Sequence, residues 1–523
     1  MSDSSFSSSP SSTATASSTL TPQIFDRLVG SILDRKPVLK DIMIEFGNSP
    51  VIEYARRHLT NPVEYVFPQR APELLEVIRE EIGRLFGVDI AARAVAQMEK
   101  FYSVSTADHH GPITHSFFLN PNILCAAASA EDPASRKDFI VTFPCANVSF
   151  NNSSFPRGIL YHAMNKGQLD MGRLALVPAK NRQAVLYGSP AYTREDVKRV
   201  YQDIDRQVTE FGLSRKIMND LRSIVADIYD KDEMYAQKDY SDQMTLTNYA
   251  LWKKFFPAGS DVPDLLYVPM ENIAVSAFLK HHIDQGTILS KLIFNEDYSK
   301  IIAELFDGVQ GAFDFTSGAG TFMFWGLSEG KNYLISLRRE GNFLIDKTGE
   351  FRIELTPASL REALEKKRIA PSMLFVFMVL AFYYGLRCLG GFSQVNYLTH
   401  MKEQWMKFLA RIHEVDDIPS VQKVQTRSFV SDLGIAYIKD ASGKNCLASG
   451  IDLILYRDPN MWNLLKKAVK TLPLAEGFYT LCADLYPATY SAVERDPALS
   501  AIGASDLLRY LDAEKHCEAC VRM

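Results

Sequence analysis

Cysteine, net charge and long apolar runs are all scarce in this sequence, and each scarcity excludes a class of protein. Seven irregularly spaced cysteines in 523 residues exclude a disulfide-stapled secreted domain and favour a reducing compartment. The formal charge is −5, so the basic footprint of a general nucleic-acid binder is missing. The Ser-rich start has neither the basic nor the apolar region of a signal peptide. We therefore expect a cytoplasmic protein that binds no nucleic acid.

One apolar stretch is long enough to need its own interpretation. Ile369–Phe392 carries a single charge, Arg387, and could in length cross a bilayer. Its uninterrupted part, Met373–Leu386, has the length of a buried core helix, and Pro371 and Arg387 fit a membrane span poorly. We expect a core helix and no membrane segment.

The composition and its local shifts predict three regions. Hydrophobic residues make up 47% and charged residues 23%, which is the balance of an ordinary globular protein. Residues 1–22 are a Ser/Thr-rich tail that buries too little apolar surface to order itself. Pro, Gly and Asp cluster at 256–263, which predicts a boundary between an N-terminal region, 23–256, and a C-terminal region, 257–523.

Periodicity predicts a helix-rich α+β fold. The clearest helix is 194–211, where Thr193 is a natural N-cap and Asp196 completes a capping box. Short β-like runs lie between 139 and 187, namely Phe139–Phe143, Asn147–Phe150, Leu174–Val177 and Ala184–Tyr187. Strand-like segments joined by Gly-containing turns predict an antiparallel meander over 321–355. This meander favours α+β over a doubly wound parallel sheet.

The strongest chemical signal is a histidine-rich segment. Asp108, His109, His110 and His115 fall within eight residues and combine imidazole with carboxylate, the donors that suit Zn or Fe(II). The intervening Gly111-Pro112 predicts a turn that folds His115 back toward His109 or His110. Three interpretations stay open: a metal site, a metal-free acid/base site, and a structural turn.

Two further segments carry substrate-binding side chains. Asn151, Asn152 and Arg157 sit in a loop after a β-like run, where amides and a guanidinium fork suit a carboxylate or phosphate. Arg387 ends the apolar stretch and needs a partner if buried, either a substrate acid or an internal carboxylate such as Asp314. We expect the Arg157 loop to converge with the histidine-rich segment.

Other motifs are weaker. The Thr316–Thr321 loop lacks the third glycine of a dinucleotide fingerprint and the Gly-Lys-Ser/Thr of a P-loop, so no nucleotide-cofactor motif is present. Cys517 and Cys520 form one Cys-x-x-Cys without the second pair that a zinc site needs.

These signals predict an enzyme that acts on a small polar or anionic molecule. Metal-assisted hydrolase or lyase chemistry, with Zn or Fe, is the leading hypothesis. A non-haem iron oxygenase is an alternative, since two His and one carboxylate are its ligand types. A non-catalytic interaction or membrane-associated protein, with a structural histidine turn, is the rival class. The substrate and oligomeric state are left open by the sequence.

Overall fold

The structure is a computed structural model that describes residues 20–131, 133–152, 157–165, 168–440, 443, 445–512, 515 and 521–522. Most of the predicted tail, 1–22, lies outside the described residues. Cys517 and Cys520 also lie outside them, as does the centre of the loop between Asn152 and Arg157.

Helices account for most of the regular structure. In chain order the described α-helices are α1 (Pro22–Asp34), α2 (Pro37–Phe46), α3 (Val51–His58), α4 (Ala71–Phe86), α5 (Val88–Phe101), α6 (Ser116–Glu131), α7 (Arg194–Phe211), α8 (Arg215–Ile224), α9 (Asp232–Tyr235), α10 (Tyr240–Phe255), α11 (Met270–His281), α12 (Ile288–Phe294), α13 (Glu296–Phe306), α14 (Pro357–Glu365), α15 (Met373–Phe377), α16 (Gln394–Arg411), α17 (Ile418–Lys423), α18 (Asp452–Leu455), α19 (Met461–Thr471), α20 (Leu474–Tyr479), α21 (Cys482–Thr489), α22 (Pro497–Ser500) and α23 (Ala504–Tyr510).

The strands are short. They are β1 (Ser103–Ser105), β2 (Phe139–Thr142), β3 (Gly158–Asn165), β4 (Gln168–Ala175), β5 (Asp264–Tyr267), β6 (Phe313–Asp314), β7 (Ala319–Gly320), β8 (Phe324–Leu327), β9 (Leu334–Ile335), β10 (Arg338–Glu340), β11 (Phe343–Ile345), β12 (Arg352–Glu354), β13 (Ile369–Pro371), β14 (Arg387–Leu389), β15 (Tyr437–Lys439), β16 (Asn445–Leu447) and β17 (Val521–Arg522). With 52% helix and 14% strand, the predicted helix-rich α+β class is confirmed.

The largest sheet among the described residues is a four-stranded parallel one. Its order is β14-β1-β2-β5, and every neighbouring pair is parallel. Strands buried on both faces show no alternation, so this sheet gives little periodic signal in the sequence. The carboxyl ends of all four strands lie at the same end of the sheet. The histidine-rich segment begins at that end, directly after β1.

The predicted meander is present but divided. Strands β10, β11 and β12 form one antiparallel sheet, while β8 and β9 pair with each other and with the distant β13. Of the β-like runs between 139 and 187, Phe139–Phe143 contains β2 and Leu174–Val177 overlaps the end of β4. The other two runs lie side by side and share backbone hydrogen bonds, such as Phe150 N–H to the Ala184 carbonyl oxygen at 2.9 Å, but they form an isolated antiparallel bridge at Ser149 and Val185 rather than full strands.

The long hairpin of β3 and β4 depends on glycine at a close approach. A Cβ on Gly158 would overlap the Leu174 carbonyl oxygen and lie 2.9 Å from the Ala175 Cα. Both obstacles are backbone atoms of the paired strand, so neither can move without distorting the hairpin.

Gly158→Ala is therefore expected to lower the free energy of unfolding by about 1–3 kcal/mol, the usual cost of overpacking. The control is Gly30→Ala in α1, where a Cβ meets nothing within 4 Å and helix propensity should stabilise by roughly 0.5–1 kcal/mol. Urea unfolding of both variants measures the difference. Equal stability of the two would contradict the expectation.

The apolar stretch Ile369–Phe392 is buried inside the protein. It forms β13, α15, a π-helical turn at Met378–Tyr383 and β14, rather than one continuous core helix. No helix among the described residues has the length and apolarity needed to cross a bilayer.

The hydrophobic core consists of two clusters of buried side chains. One contains residues of α1–α3 together with residues of α19–α21, from opposite ends of the chain. The other joins α4 and α5 to α11–α16. Each cluster contains residues from both sides of the predicted boundary, and the division at 256/257 stays a prediction.

Candidate functional site

The segment after β1 enters the interior rather than the surface. Asp108 is fully buried, its Oδ2 accepts a hydrogen bond from Asn122 Nδ2 at 2.8 Å, and its Oδ1 has no partner. Burial raises the pKa of Asp108 to about 8, against weaker opposing hydrogen bonds. This carboxyl group is therefore mostly protonated at neutral pH.

His110 points away from its two histidine neighbours. Its Nε2 donates to the Ser241 carbonyl oxygen at 3.0 Å. Burial lowers its pKa to about 4, so the ring is neutral and Nδ1 is left as a buried acceptor. Its backbone N–H donates to the Cys145 carbonyl oxygen at 2.7 Å, which ties the segment to the end of β2. These contacts describe a structural role.

His109 and His115 do come together, as the Gly111-Pro112 turn predicts. Their rings lie 5.5 and 6.3 Å from the Phe118 ring, measured between centroids, and both side chains are partly exposed. Burial, followed by the charges of His162 and His109, lowers the pKa of His115 to about 4. The Phe117 N–H donates to His115 Nδ1 at 3.2 Å, so the proton of this neutral ring is on Nε2.

The third member of this group, His162, comes from β3. Its Nδ1 lies 2.6 Å from Asp452 Oδ2, and its backbone N–H donates to Asp452 Oδ1 at 2.7 Å. Asp452 is fully buried at the start of α18 and also accepts the Ser449 N–H at 2.7 Å. One carboxylate thus fixes the position and the tautomer of the imidazole.

The other side of His162 faces a thiol. Cys446, on β16, is a partly exposed free cysteine within hydrogen-bonding reach of the His162 imidazole. Since Asp452 occupies Nδ1, Nε2 is the nitrogen left for the thiol. Burial alone would lower the pKa of His162, but the Asp452 carboxylate, followed by Cys446, raises it to about 10. The imidazole is therefore protonated at neutral pH.

We call Cys446, His162 and Asp452, with His115 beside them, the thiol centre. Its three central residues match the nucleophile, the proton-carrying histidine and the orienting carboxylate of a nucleophilic triad, which is recognised by geometry rather than by chain order. None of the three stood out in the sequence. His162 follows a tyrosine in an apolar strand, and Cys446 and Asp452 have no motif around them.

The described side-chain contacts of the predicted substrate loop are with backbone carbonyl oxygens near it, and its convergence with the histidine-rich segment stays a prediction. Arg157 directly precedes β3, with its backbone in the left-handed region at φ 66°. Its Nη1 donates to the Val177 carbonyl oxygen at 3.2 Å, and burial, followed by the charges of Arg173 and Arg182, lowers its pKa. Asn151 is exposed, and Asn152 Nδ2 donates to the Ser149 carbonyl oxygen at 2.8 Å, as in a plain turn.

Arg387 has a structural role at the opposite end of the sheet, where the parallel strands begin. It begins β14, far from the carboxyl ends of the strands, and Nη1 donates to Asn61 Oδ1 at 2.9 Å. Nη2 donates to the Leu59 and Asn61 carbonyl oxygens, and burial lowers the pKa to about 10. Asp314, the internal partner proposed from sequence, is not its partner; neutral oxygens take that place.

Within the part of the chain that the structure describes, no three His, Cys, Asp or Glu side chains are arranged to hold a metal ion. The Zn or Fe site stays a prediction. No family model matches the sequence, and a search of curated proteins finds no significant match.

Proposed function

We propose that the protein is an enzyme that hydrolyses or transfers acyl groups through a covalent intermediate on Cys446. The observation that carries this proposal is the His162 imidazole, held by Asp452 at 2.6 Å on one nitrogen and facing the Cys446 thiol with the other. The proposed substrate is a small ester or thioester, and the sequence adds the expectation that it is polar or anionic. A reducing, cytoplasmic setting suits a catalytic thiol and is part of the proposal.

The residues divide the chemistry as follows. Sγ of Cys446 attacks the carbonyl carbon, a C–S bond forms, and the thiol proton resides on His162 Nε2. The C–O or C–S bond to the leaving group breaks, and the leaving group takes that proton. Water then attacks the carbonyl carbon of the acyl-cysteine and gives a proton to His162. The C–S bond breaks, the carboxylic acid leaves, and the Cys446 sulfur is regenerated.

His115 is the proposed hydrogen-bond donor to the developing oxyanion. Its Nδ1 accepts the Phe117 N–H, so its Nε2–H is free of that contact and can donate. A neutral ring is required for this fixed arrangement, and burial keeps His115 neutral by lowering its pKa to about 4. A preorganised donor of this kind typically contributes a factor of about 10²–10³ to kcat.

Iodoacetamide modification tests the proposal, with p-nitrophenyl acetate as the probe substrate. We expect loss of ester hydrolysis to parallel carbamidomethylation of Cys446, quantified by peptide mass spectrometry, and p-nitrophenyl acetate to protect that residue. EDTA treatment is the parallel arm, because a metal-assisted hydrolase would lose activity there. Activity that survives full modification of Cys446, or that EDTA removes, would contradict the thiol mechanism.

A further inference from the structure

A groove runs along the end of α18. It consists of two cavities, of about 560 and 360 Å³, which share Lys216, Leu455 and Arg457 in their walls. The larger cavity also has Met164 and Ile217 in its wall, which are apolar. The smaller cavity has a more polar wall. We call the two cavities together the α18 groove, and each has a volume in the range of small-molecule sites.

The larger cavity lies beside the thiol centre. Met164 follows His162 by two positions on β3, so the two side chains share one face of the strand and lie about 7 Å apart along it. Tyr456 lines the cavity, and its hydroxyl donates to the His162 carbonyl oxygen at 2.7 Å. Asp452, the partner of His162, begins α18, and Leu455 ends it. The groove and the thiol centre are therefore built on the same two elements.

The apolar wall of the groove continues onto the β3–β4 hairpin. Met164 and Met171 are 36% and 52% exposed. Met171 pairs with His162 across the hairpin, so its side chain shares the face that carries His162 and Met164. Exposed methionines are typical of surfaces that bind apolar ligands, because the thioether side chain is flexible and polarisable. This face therefore suits an apolar chain that lies next to His162.

Arg457 gives the groove a positive charge that has no acidic partner among the described residues. Its Nη2 donates to the Lys254 carbonyl oxygen. The neighbouring cations are both paired, Lys216 with Asp220 at 3.1 Å and Lys254 with Asp227 at 2.6 Å. Burial lowers the pKa of Arg457, and no acidic group opposes this shift. The rest of its guanidinium fork is left to pair with a carboxylate.

We propose that the α18 groove binds the acyl group of the substrate, and that this acyl group is an apolar chain ending in a carboxylate. The carboxylate pairs with Arg457, the chain lies along the two methionines, and the acyl carbonyl faces the thiol centre. The placement of the carbonyl rests on the proposed function, whereas binding of the chain and its carboxylate does not. A small anion would leave the apolar wall in water, and an uncharged chain would leave Arg457 unpaired.

Titration calorimetry on the wild-type protein tests the binding with octanoate, butyrate and 1-octanol as probes. Octanoate has both the chain and the charge, butyrate lacks most of the chain, and 1-octanol lacks the charge. We expect octanoate to bind roughly 10-fold or more tightly than either of the others. Arg457→Gln should weaken octanoate binding about 10-fold and should leave the affinity for 1-octanol unchanged.

Arg495→Gln is the matched control. Arg495 also donates to backbone carbonyl oxygens, those of Pro487 at 2.8 Å and Tyr490 at 3.0 Å, but it lines neither cavity, so octanoate binding should be unchanged. Met164→Glu tests the apolar wall at an exposed position, where the protein should fold normally, and should also weaken octanoate binding. Equal octanoate affinity in the wild type and Arg457→Gln, or no octanoate binding to the wild type, would overturn the proposal.

Ester kinetics then test the link to the thiol centre. The p-nitrophenyl monoester of adipic acid and p-nitrophenyl hexanoate have chains of equal length and differ in the terminal carboxylate. We expect the ratio of their kcat/KM values to favour the adipate ester, and to fall about 10-fold in Arg457→Gln. An unchanged ratio would overturn the placement of the acyl group in the groove. Octanoate binding that depends on Arg457, in a protein that hydrolyses neither ester, would contradict the thiol mechanism alone.

Discussion

Cys446→Ala is expected to abolish ester hydrolysis, lowering kcat/KM for p-nitrophenyl acetate by ~10³-fold or more. The Cys446 sulfur forms the new bond to the substrate carbonyl carbon, so no neighbouring group can replace it. Because the side chain is only partly buried, its truncation should leave thermal unfolding nearly unchanged. Stopped-flow measurement of the p-nitrophenolate burst separates acylation from turnover, and the burst should disappear.

A double variant, Cys517→Ser with Cys520→Ser, is the control for other reactive thiols. These two residues lie outside the described residues, and neither is part of the thiol centre. We expect the burst and the steady-state rate of the double variant to equal those of the wild type. A burst retained in Cys446→Ala but lost in the double variant would reassign the nucleophile.

Asp452→Asn is expected to produce the largest loss of stability, ~3–5 kcal/mol, as usual when one partner of a buried pair is removed. The carboxylate accepts from His162 Nδ1, from the His162 backbone N–H and from the Ser449 N–H, and an amide nitrogen would face at least one of these donors. Hydrolysis should fall by about 10²–10⁴-fold, since His162 loses its orientation and charge partner. Urea unfolding measures the first effect and kcat the second.

The pH dependence of stability gives an independent signature of the same pair. The pKa of His162 is raised from 6.5 in the unfolded chain to about 10 in the folded protein. Its stabilisation is therefore fully present below pH 6.5 and is lost as the pH rises through about 10, with a slope of up to about 1.4 kcal/mol per pH unit. Asp452→Asn should lose this contribution, so the stability gap to the wild type narrows as the pH rises.

Asp458→Asn is the matched control, because Asp458 accepts only the Asn460 N–H in an exposed turn, at 2.7 Å. We expect its stability to change by less than about 0.5 kcal/mol, as for most surface substitutions. An Asp452→Asn variant that matched Asp458→Asn in stability and in kcat would contradict the assigned pairing of Asp452 with His162.

The features that the sequence predicted well are those that neighbouring residues decide. Helix 194–211 has the predicted bounds, and Thr193 and Asp196 form the predicted capping box. The Gly111-Pro112 turn brings His109 and His115 to the same aromatic ring. In each case the interaction spans only a few residues, so its signal is local.

The features that the sequence missed depend on residues far apart in the chain. His162 and Asp452 are separated by 290 positions, and nothing around either residue indicates the other. For Arg387 the sequence suggested the wrong kind of partner. Its charge suggested a carboxylate, but the guanidinium donates to the carbonyl oxygens of Leu59 and Asn61 and to the Asn61 side-chain oxygen. Arg157 has the expected chemistry, but its Nη1 donates to the Val177 carbonyl oxygen just beyond β4, a contact that no local pattern indicates.

The sequence by itself determined the α+β class, the individual helices with their caps, and the presence of a histidine-rich turn, because periodicity, capping and turn chemistry act over a few residues. Only the tertiary structure decided which histidines meet, that Cys446 and Asp452 join His162, and that neutral oxygens rather than a carboxylate satisfy Arg387. The physical reason is that short strands buried on both faces carry no periodic signal, so their pairing, and the site that their connections build, arises only from long-range packing.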